Sequence, residues 1–210
     1  MLTVIKRITC AAAAVAFCII VAGCGKTEMS AMEKVQKQLT EMEGYKSDAT
    51  IKRTSNKGEM TYETVQYNKI TGEYRLEITG PEAMAGNYTV YDGTNICQYN
   101  AKTKDMVVLD VPEGQKGDQL FLCTFVKNYL QSEDVSVDTA SLDESKCTIL
   151  EAVIPEGNKY ISTEKLWIDN DTLLPLKLVI YDQDGGERYV ITYNNFEYNP
   201  KIEDTVFTVQ

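Results

Sequence analysis

The spacing of hydrophobic residues changes from helical to alternating near Tyr45. Around SAMEKVQKQLTEMEGY, Met29, Met32, Val35, Leu39 and Met42 recur at three- and four-residue steps, the signature of one apolar helix face. Ser30 and Glu33 make a capping box, and Gly44 is a stop signal. Downstream, YKSDATIKRT, EMTYETVQYN, EYRLEIT, NYTVYDG, NICQYNA and DMVVLDV alternate as half-buried strands. Turn signals at Asn56 to Gly58, Thr71-Gly72, Asp92-Gly93 and Thr103 to Asp105 separate them, which predicts an antiparallel meander.

The polar segment from Pro112 to Gly117 breaks this pattern. DQLFLCTFVKNYL then predicts a helix whose apolar residues, among them Leu120, Phe121, Leu122, Cys123, Phe125 and Val126, cover more than half of its circumference. So wide a face is packed on a sheet alone, or is covered on a second side by a ligand or partner. Strands resume at VSVDT, KCTILEAVIP, YISTEKLWID, LLPLKLVIYD and RYVITYNNFEYN, with turns at Gly157-Asn158, Asn170-Asp171 and Asp184 to Gly186. Ten or eleven strands, with helices at the start and in the middle, predict an α+β domain built on a strongly curved antiparallel sheet. Helices on the concave side of such a sheet can enclose an apolar cavity.

Ahead of these elements, Lys6 and Arg7 precede an uncharged run from Ile8 to Gly23. That run is shorter than the roughly 20 residues a spanning helix needs. A charged start, an apolar centre and a small-residue exit are the layout of a secretory signal, with a retained short anchor as the alternative. Val21-Ala22-Gly23-Cys24 resembles the bacterial lipobox, which implies a diacylglyceryl group on the Cys24 sulfur and cleavage just before it. Two acyl chains anchor stably where one would be marginal. The expected organisation is a signal peptide over 1–23, a lipidated cysteine and tether over 24–30, and a single domain over 31–210. Such a protein would sit on the extracytoplasmic face of a membrane.

Removing residues 1–23 takes away Lys6 and Arg7 and no acid, which moves the formal net charge from −10 to −12. That charge argues against nucleic acid and against an electrostatic grip on anionic lipid. Outside the leader and Cys24, the cysteines are Cys97, Cys123 and Cys147, an odd number at wide spacing that reads as buried free thiols. The chain has no histidine, so Ser-His-Asp or Cys-His catalysis and a histidine-bearing zinc site are excluded. A carboxylate-only catalyst stays open in principle, but no spacing among the 31 acids singles out a pair. Neither a cofactor nor a metal is expected.

YDGTNICQYNAKTKDMVVLD and LWIDNDTLLPLKLVIYDQDGGERYVITYNNFEYNPKIEDTVF resemble the LolA/LolB superfamily of lipoprotein-sorting proteins. The matching elements are Tyr91 to Gly93, Leu166 to Asp169, Leu174-Pro175, Asp182 to Gly185, and Glu203 to Phe207. The resemblance implies an unclosed antiparallel half barrel in which helices plug a cavity for acyl chains. Within the superfamily, YRLEITGPEAMAGNYTVYDG, LFLCTFVKNYLQSEDVSV, SKCTILEAVIP and STEKLWIDNDTLLPLKLVIYD look most like the germination lipoprotein GerS and its relatives from spore-forming clostridia. That likeness implies a non-enzymatic partner of the zinc-dependent cell-wall amidase CwlD, which removes the peptide from muramic acid in making spore-cortex muramic-δ-lactam. Zinc and catalysis would then belong to the amidase.

Two functions follow as expectations. One is a membrane-anchored module that binds a cortex N-acetylmuramoyl-L-alanine amidase through an exposed apolar patch or strand edge. The other is a LolA/LolB-like carrier or receiver of acyl chains. Met84, Leu120, Phe121, Leu122, Phe125 and Trp167 are the candidate cavity or partner residues. Trp167 is expected to face the core or cavity, and Asp169 and Asp171 to form a turn rather than a calcium site. Whether the chain forms a homodimer stays open. If Cys24 carries the anchor, Cys24→Ser moves the protein from the membrane pellet to the soluble fraction. A variant that still pellets and keeps its full mass would show that the apolar run is retained.

Overall fold

The computed structural model describes residues 28–111 and 116–208. The leader, Cys24 and most of the Pro112 to Gly117 break lie outside the described residues. Six strands precede that break: β1 (Gly44–Ser55), β2 (Gly58–Lys69), β3 (Tyr74–Gly80), β4 (Tyr88–Tyr91), β5 (Asn95–Asn100) and β6 (Asp105–Asp110). Five follow it: β7 (Val135–Leu142), β8 (Ser145–Asn158), β9 (Ile161–Asp169), β10 (Pro175–Tyr181) and β11 (Glu187–Tyr198). They form one antiparallel sheet in the order β6-β5-β4-β3-β2-β1-β11-β10-β9-β8-β7. Two meanders are therefore joined along β1 and β11, and β6 and β7 remain as separate edges. The sheet is curved and unclosed, the half barrel expected from the sequence.

Alternate residues of a strand share a face, so register decides which apolar side chains meet. Pairing aligns Leu150, Leu166, Leu178, Ile191, Ile51 and Tyr62 in one row across six strands. All but Tyr62 are buried, and the row forms the floor of the core. Gly44 opens β1 because a Cβ there would lie 2.7 Å from the Asn68 carbonyl oxygen of β2.

Two helices complete the core on the concave face: α1 (Ala31–Thr40) and α2 (Leu122–Gln131). The position of α2 follows from connectivity. The chain leaves the sheet at one edge, β6, and re-enters at the other, β7, so the segment between them must cross the sheet. Phe121, Leu122, Cys123, Phe125 and Val126 of that crossing are all buried. Gln36 of α1 donates a hydrogen bond to the Tyr129 hydroxyl of α2 at 3.3 Å, which ties the two helices to each other.

Both helices are shorter than the periodicity predicts. Residues 119 and 120 form a turn ahead of α2, and Leu130 near its end is exposed. In the methionine stripe, Val35, Leu39 and Met42 are buried, but Met29 and Met32 are 40% and 41% exposed. The start of the stripe is therefore not core. Among the described residues no helix is long and apolar enough to cross a membrane.

This packing predicts a contrast within α2. Phe125→Ala removes a fully buried ring and should lower unfolding stability by about 3–5 kcal/mol. Leu130→Ala, at an exposed position, should stay within about 0.5 kcal/mol of wild type. Urea unfolding of the two variants checks the contrast, and equal losses would contradict the assigned helix face.

Candidate functional site

An apolar cleft of about 250 Å³ lies on the concave face beside the start of α2. Alternation along β1, β2 and β3 supplies Ile51, Tyr62, Leu76 and Ile78 to it. Tyr189 of β11 and Met84, from the turn between β3 and β4, also line it. Leu120, immediately ahead of α2, closes the set of apolar residues, while Arg53 and Thr64 are its polar members. Tyr62, Leu76, Ile78, Met84 and Leu120 are only half-buried, so the site is a cleft open to solvent rather than a sealed core void.

Hydrogen bonds hold α2 against the sheet next to this cleft. The Tyr45 hydroxyl donates to Gln66 Oε1 at 2.6 Å and accepts from the Leu122 backbone N–H at 3.3 Å. It thereby satisfies one of the N–H groups that the first turn of a helix leaves without an internal partner. Further along, Asn128 Nδ2 donates to Glu164 Oε1 at 2.7 Å. Glu164 is 1% exposed, and burial pushes its carboxyl up to about 7 even though the Asn128 hydrogen bond favours the ionised form. Burial likewise raises the Tyr45 and Tyr193 hydroxyls well above their ordinary value. It pushes the Cys123 thiol up to about 12, which keeps it protonated and unreactive.

The structure sorts the residues singled out in the sequence. Met84 and Leu120 come together at the cleft. Phe121, Leu122 and Phe125 are core residues with no exposed surface to offer a ligand or partner. Trp167 corrects an expectation: it lies between buried Leu166 and Ile168 on β9, so its side chain points to the opposite, convex face. There Lys177 Nζ sits 4.2 Å from the centroid of its ring. Cys24 lies outside the described residues. Arg53, Tyr62, Leu76, Ile78, Tyr189 and Glu164 belong to the site or its frame and were not singled out. Their local patterns are those of ordinary strands, and only register assembles them.

Cys97, Cys123 and Cys147 are free and buried. Among the described residues no group of three or more His, Cys, Asp or Glu is placed to hold a metal ion. Asp169 Oδ1 accepts hydrogen bonds from the backbone N–H groups of Asp171 and Thr172, which makes this segment a turn.

The model of the sporulation protein YdcC-like family matches residues 5–207. A chain in the structure of the CwlD amidase from Clostridioides difficile in complex with the GerS lipoprotein is 31% identical, with a TM-score of 0.49. The match covers 83% of this chain and 98% of that chain. An uncharacterized conserved protein from Thermus thermophilus has a TM-score of 0.54 at 13% identity, covers 86% and 95% of the two chains, and shares the fold. A LolA superfamily protein from Nitrosomonas europaea is 15% identical, with a TM-score of 0.44 over 86% of this chain and 98% of that one. No curated protein matches significantly.

The buried carboxyl beneath α2 makes stability depend on pH. In the unfolded chain Glu164 ionises near 4.5, and in the folded protein only near 7. Between those values the folded state binds more protons, so this group's contribution falls as pH rises from about 4.5 to 7 and is constant above. The loss is on the order of 3 kcal/mol. Glu164→Gln, which can still accept from Asn128, should flatten that part of the stability profile measured by urea unfolding at a series of pH values. An unchanged slope would mean that Glu164 ionises freely in the folded protein.

Proposed function

Because this chain belongs to the sporulation protein YdcC-like family, we propose that it is a non-enzymatic, membrane-anchored lipoprotein that binds and supports a cell-wall amidase. The observation that carries this reading is the 31% identity to a chain of the CwlD–GerS complex, over 98% of that chain's length. The absence of histidine supports a division of labour in which hydrolysis belongs to the partner. Anchoring at Cys24 suits a molecule that presents or positions an enzyme at a membrane surface.

A docking surface is supported by β6. This edge strand has free backbone groups along one side, and its Val107, Val108 and Leu109 are about half exposed. An exposed apolar edge is a template for pairing with another chain. The second function in view, uptake of an acyl chain, is favoured by a different observation: the open apolar cleft on the concave face. The two uses occupy different parts of the sheet and are compatible in one molecule.

Purification of the Cys24→Ser chain from its own host should recover an amidase in stoichiometric amount. Val108→Asp on β6 should weaken that recovery at least tenfold while leaving the unfolding midpoint close to wild type, because the position is exposed. Recovery of no amidase by the unmutated edge would overturn the partner reading. Recovery undiminished by Val108→Asp would move the contact away from β6.

A further inference from the structure

A second cleft, of about 460 Å³, opens at the end of the sheet and shares Arg53 and Tyr189 with the apolar cleft. Its other members include Ser55, Asn56, Tyr160 and Arg188. The two spaces share part of their lining but differ in charge: the first has Arg53 as its one charged side chain, and the second has both Arg53 and Arg188. After residue 23 this acidic chain has only three arginines, Arg53, Arg75 and Arg188. Arg75 is paired with Glu77 at 3.3 Å, and the remaining two line this one cleft.

The placement of Arg188 depends on a defect in the β-ladder. Ile180 pairs with Tyr189 and Tyr181 pairs with Glu187, so Arg188 is the extra residue of a β-bulge. In a regular strand it would point away from the face that carries Tyr189. Bulges re-aim side chains in this way beside binding sites. Arg53 arrives by register: it pairs with Tyr189 and so ends the row Ala152, Glu164, Ile180, Tyr189 across the concave face.

Neither guanidinium is fully used by the protein. No ion pair to Arg53 forms among the described residues. Arg188 Nη1 lies 3.9 Å from Asp182 Oδ2, a loose contact, and its guanidinium sits 5.4 Å from the centre of the Tyr160 ring. Asp182 is itself engaged through Oδ1, which accepts from the backbone N–H groups of Asp184 and Gly186. Tyr160, more than half exposed, also has Lys159 Nζ at 4.7 Å. The outer rim is therefore cationic and aromatic, and the inner wall apolar.

We infer that the two neighbouring clefts together bind an anionic amphiphile, with its acyl tail against Ile51, Leu76 and Ile78 and its carboxylate or phosphate head between Arg53 and Arg188. Guanidinium groups offer paired N–H donors that match both heads. The inference rests on the acyl-uptake reading of the apolar cleft and adds the charge of the head that the site selects.

The test uses the Cys24→Ser chain, so that no acyl group of its own competes, and titrates decyl phosphate, decanol and decyltrimethylammonium below their micelle concentrations by calorimetry. Decyl phosphate should bind about tenfold or more tightly than decanol, the margin one charged hydrogen bond supplies. Arg53→Gln and Arg188→Gln should each erase most of that margin, lowering decyl phosphate affinity far more than decanol affinity. Equal binding of all three probes, or equal loss of decyl phosphate and decanol in the arginine variants, would overturn the head-group selection while leaving acyl uptake intact. Binding of none of the three would overturn acyl uptake itself. Inorganic phosphate that binds as tightly as decyl phosphate would make the site a phosphate site and overturn the amphiphile. Circular dichroism of each variant separates these outcomes from unfolding.

Discussion

Pairing of β1 with β11 is the contact on which the rest of the structure depends. It joins residues from opposite ends of the chain, such as Ile51 with Ile191, and so fuses two local meanders into one sheet. Local hairpins form cheaply, whereas this closure must be offset by burial along the whole joint. Once it is made, β6 and β7 are fixed as opposite edges and the chain between them has no course except across the sheet. The apolar segment around α2 makes that crossing, and so the topology itself supplies the helix that fills the concave face.

The core then has to accept polar groups that the crossing brings with it. Tyr45 and Gln66 hold the start of α2, and Glu164 meets Asn128 in its middle. These contacts orient the helix more specifically than apolar packing could, and they carry a cost. The cost is visible in Glu164, whose burial disfavours its charge, and in Gln66 Nε2, Asn68 Oδ1 and Tyr193 Oη, which find no hydrogen-bond partner among the described residues. With α2 anchored over one part of the sheet, the region of Leu76 and Ile78 stays partly open above buried Ile51. The cleft is the region that a single crossing helix leaves uncovered.

Functionally, the same unclosed architecture offers two different surfaces. The edge at β6 presents backbone donors and acceptors with apolar side chains, chemistry suited to a protein partner. The cleft presents apolar side chains bordered by two arginines, chemistry suited to a small amphiphile. On the proposed anchoring at Cys24, both surfaces would serve to hold and present other molecules.

Much of this was legible in the sequence because period-2 alternation is a local property. The eleven strands, the turns at Asn56 to Gly58 and Asp92-Gly93, and the wide apolar face of the second helix all follow from neighbours in the chain. Alternation also shows that Trp167 opposes Leu166 and Ile168, but not which of the two sets is buried, since that depends on where the helices dock. Met29 and Met32 continue the stripe of Val35 and Leu39, yet nothing local shows that the core ends before them. Met84 and Leu120 could be marked as apolar, but their meeting at one cleft required β3, β1 and the crossing chain to be in place. The sequence by itself determined the strand pattern, the exclusion of histidine chemistry and the resemblance to the LolA/LolB superfamily. Only the tertiary structure decided that Arg53 and a bulged Arg188 would share a rim and that Glu164 would lie beneath a helix. Long-range register and chain closure, which no local pattern encodes, set those distances.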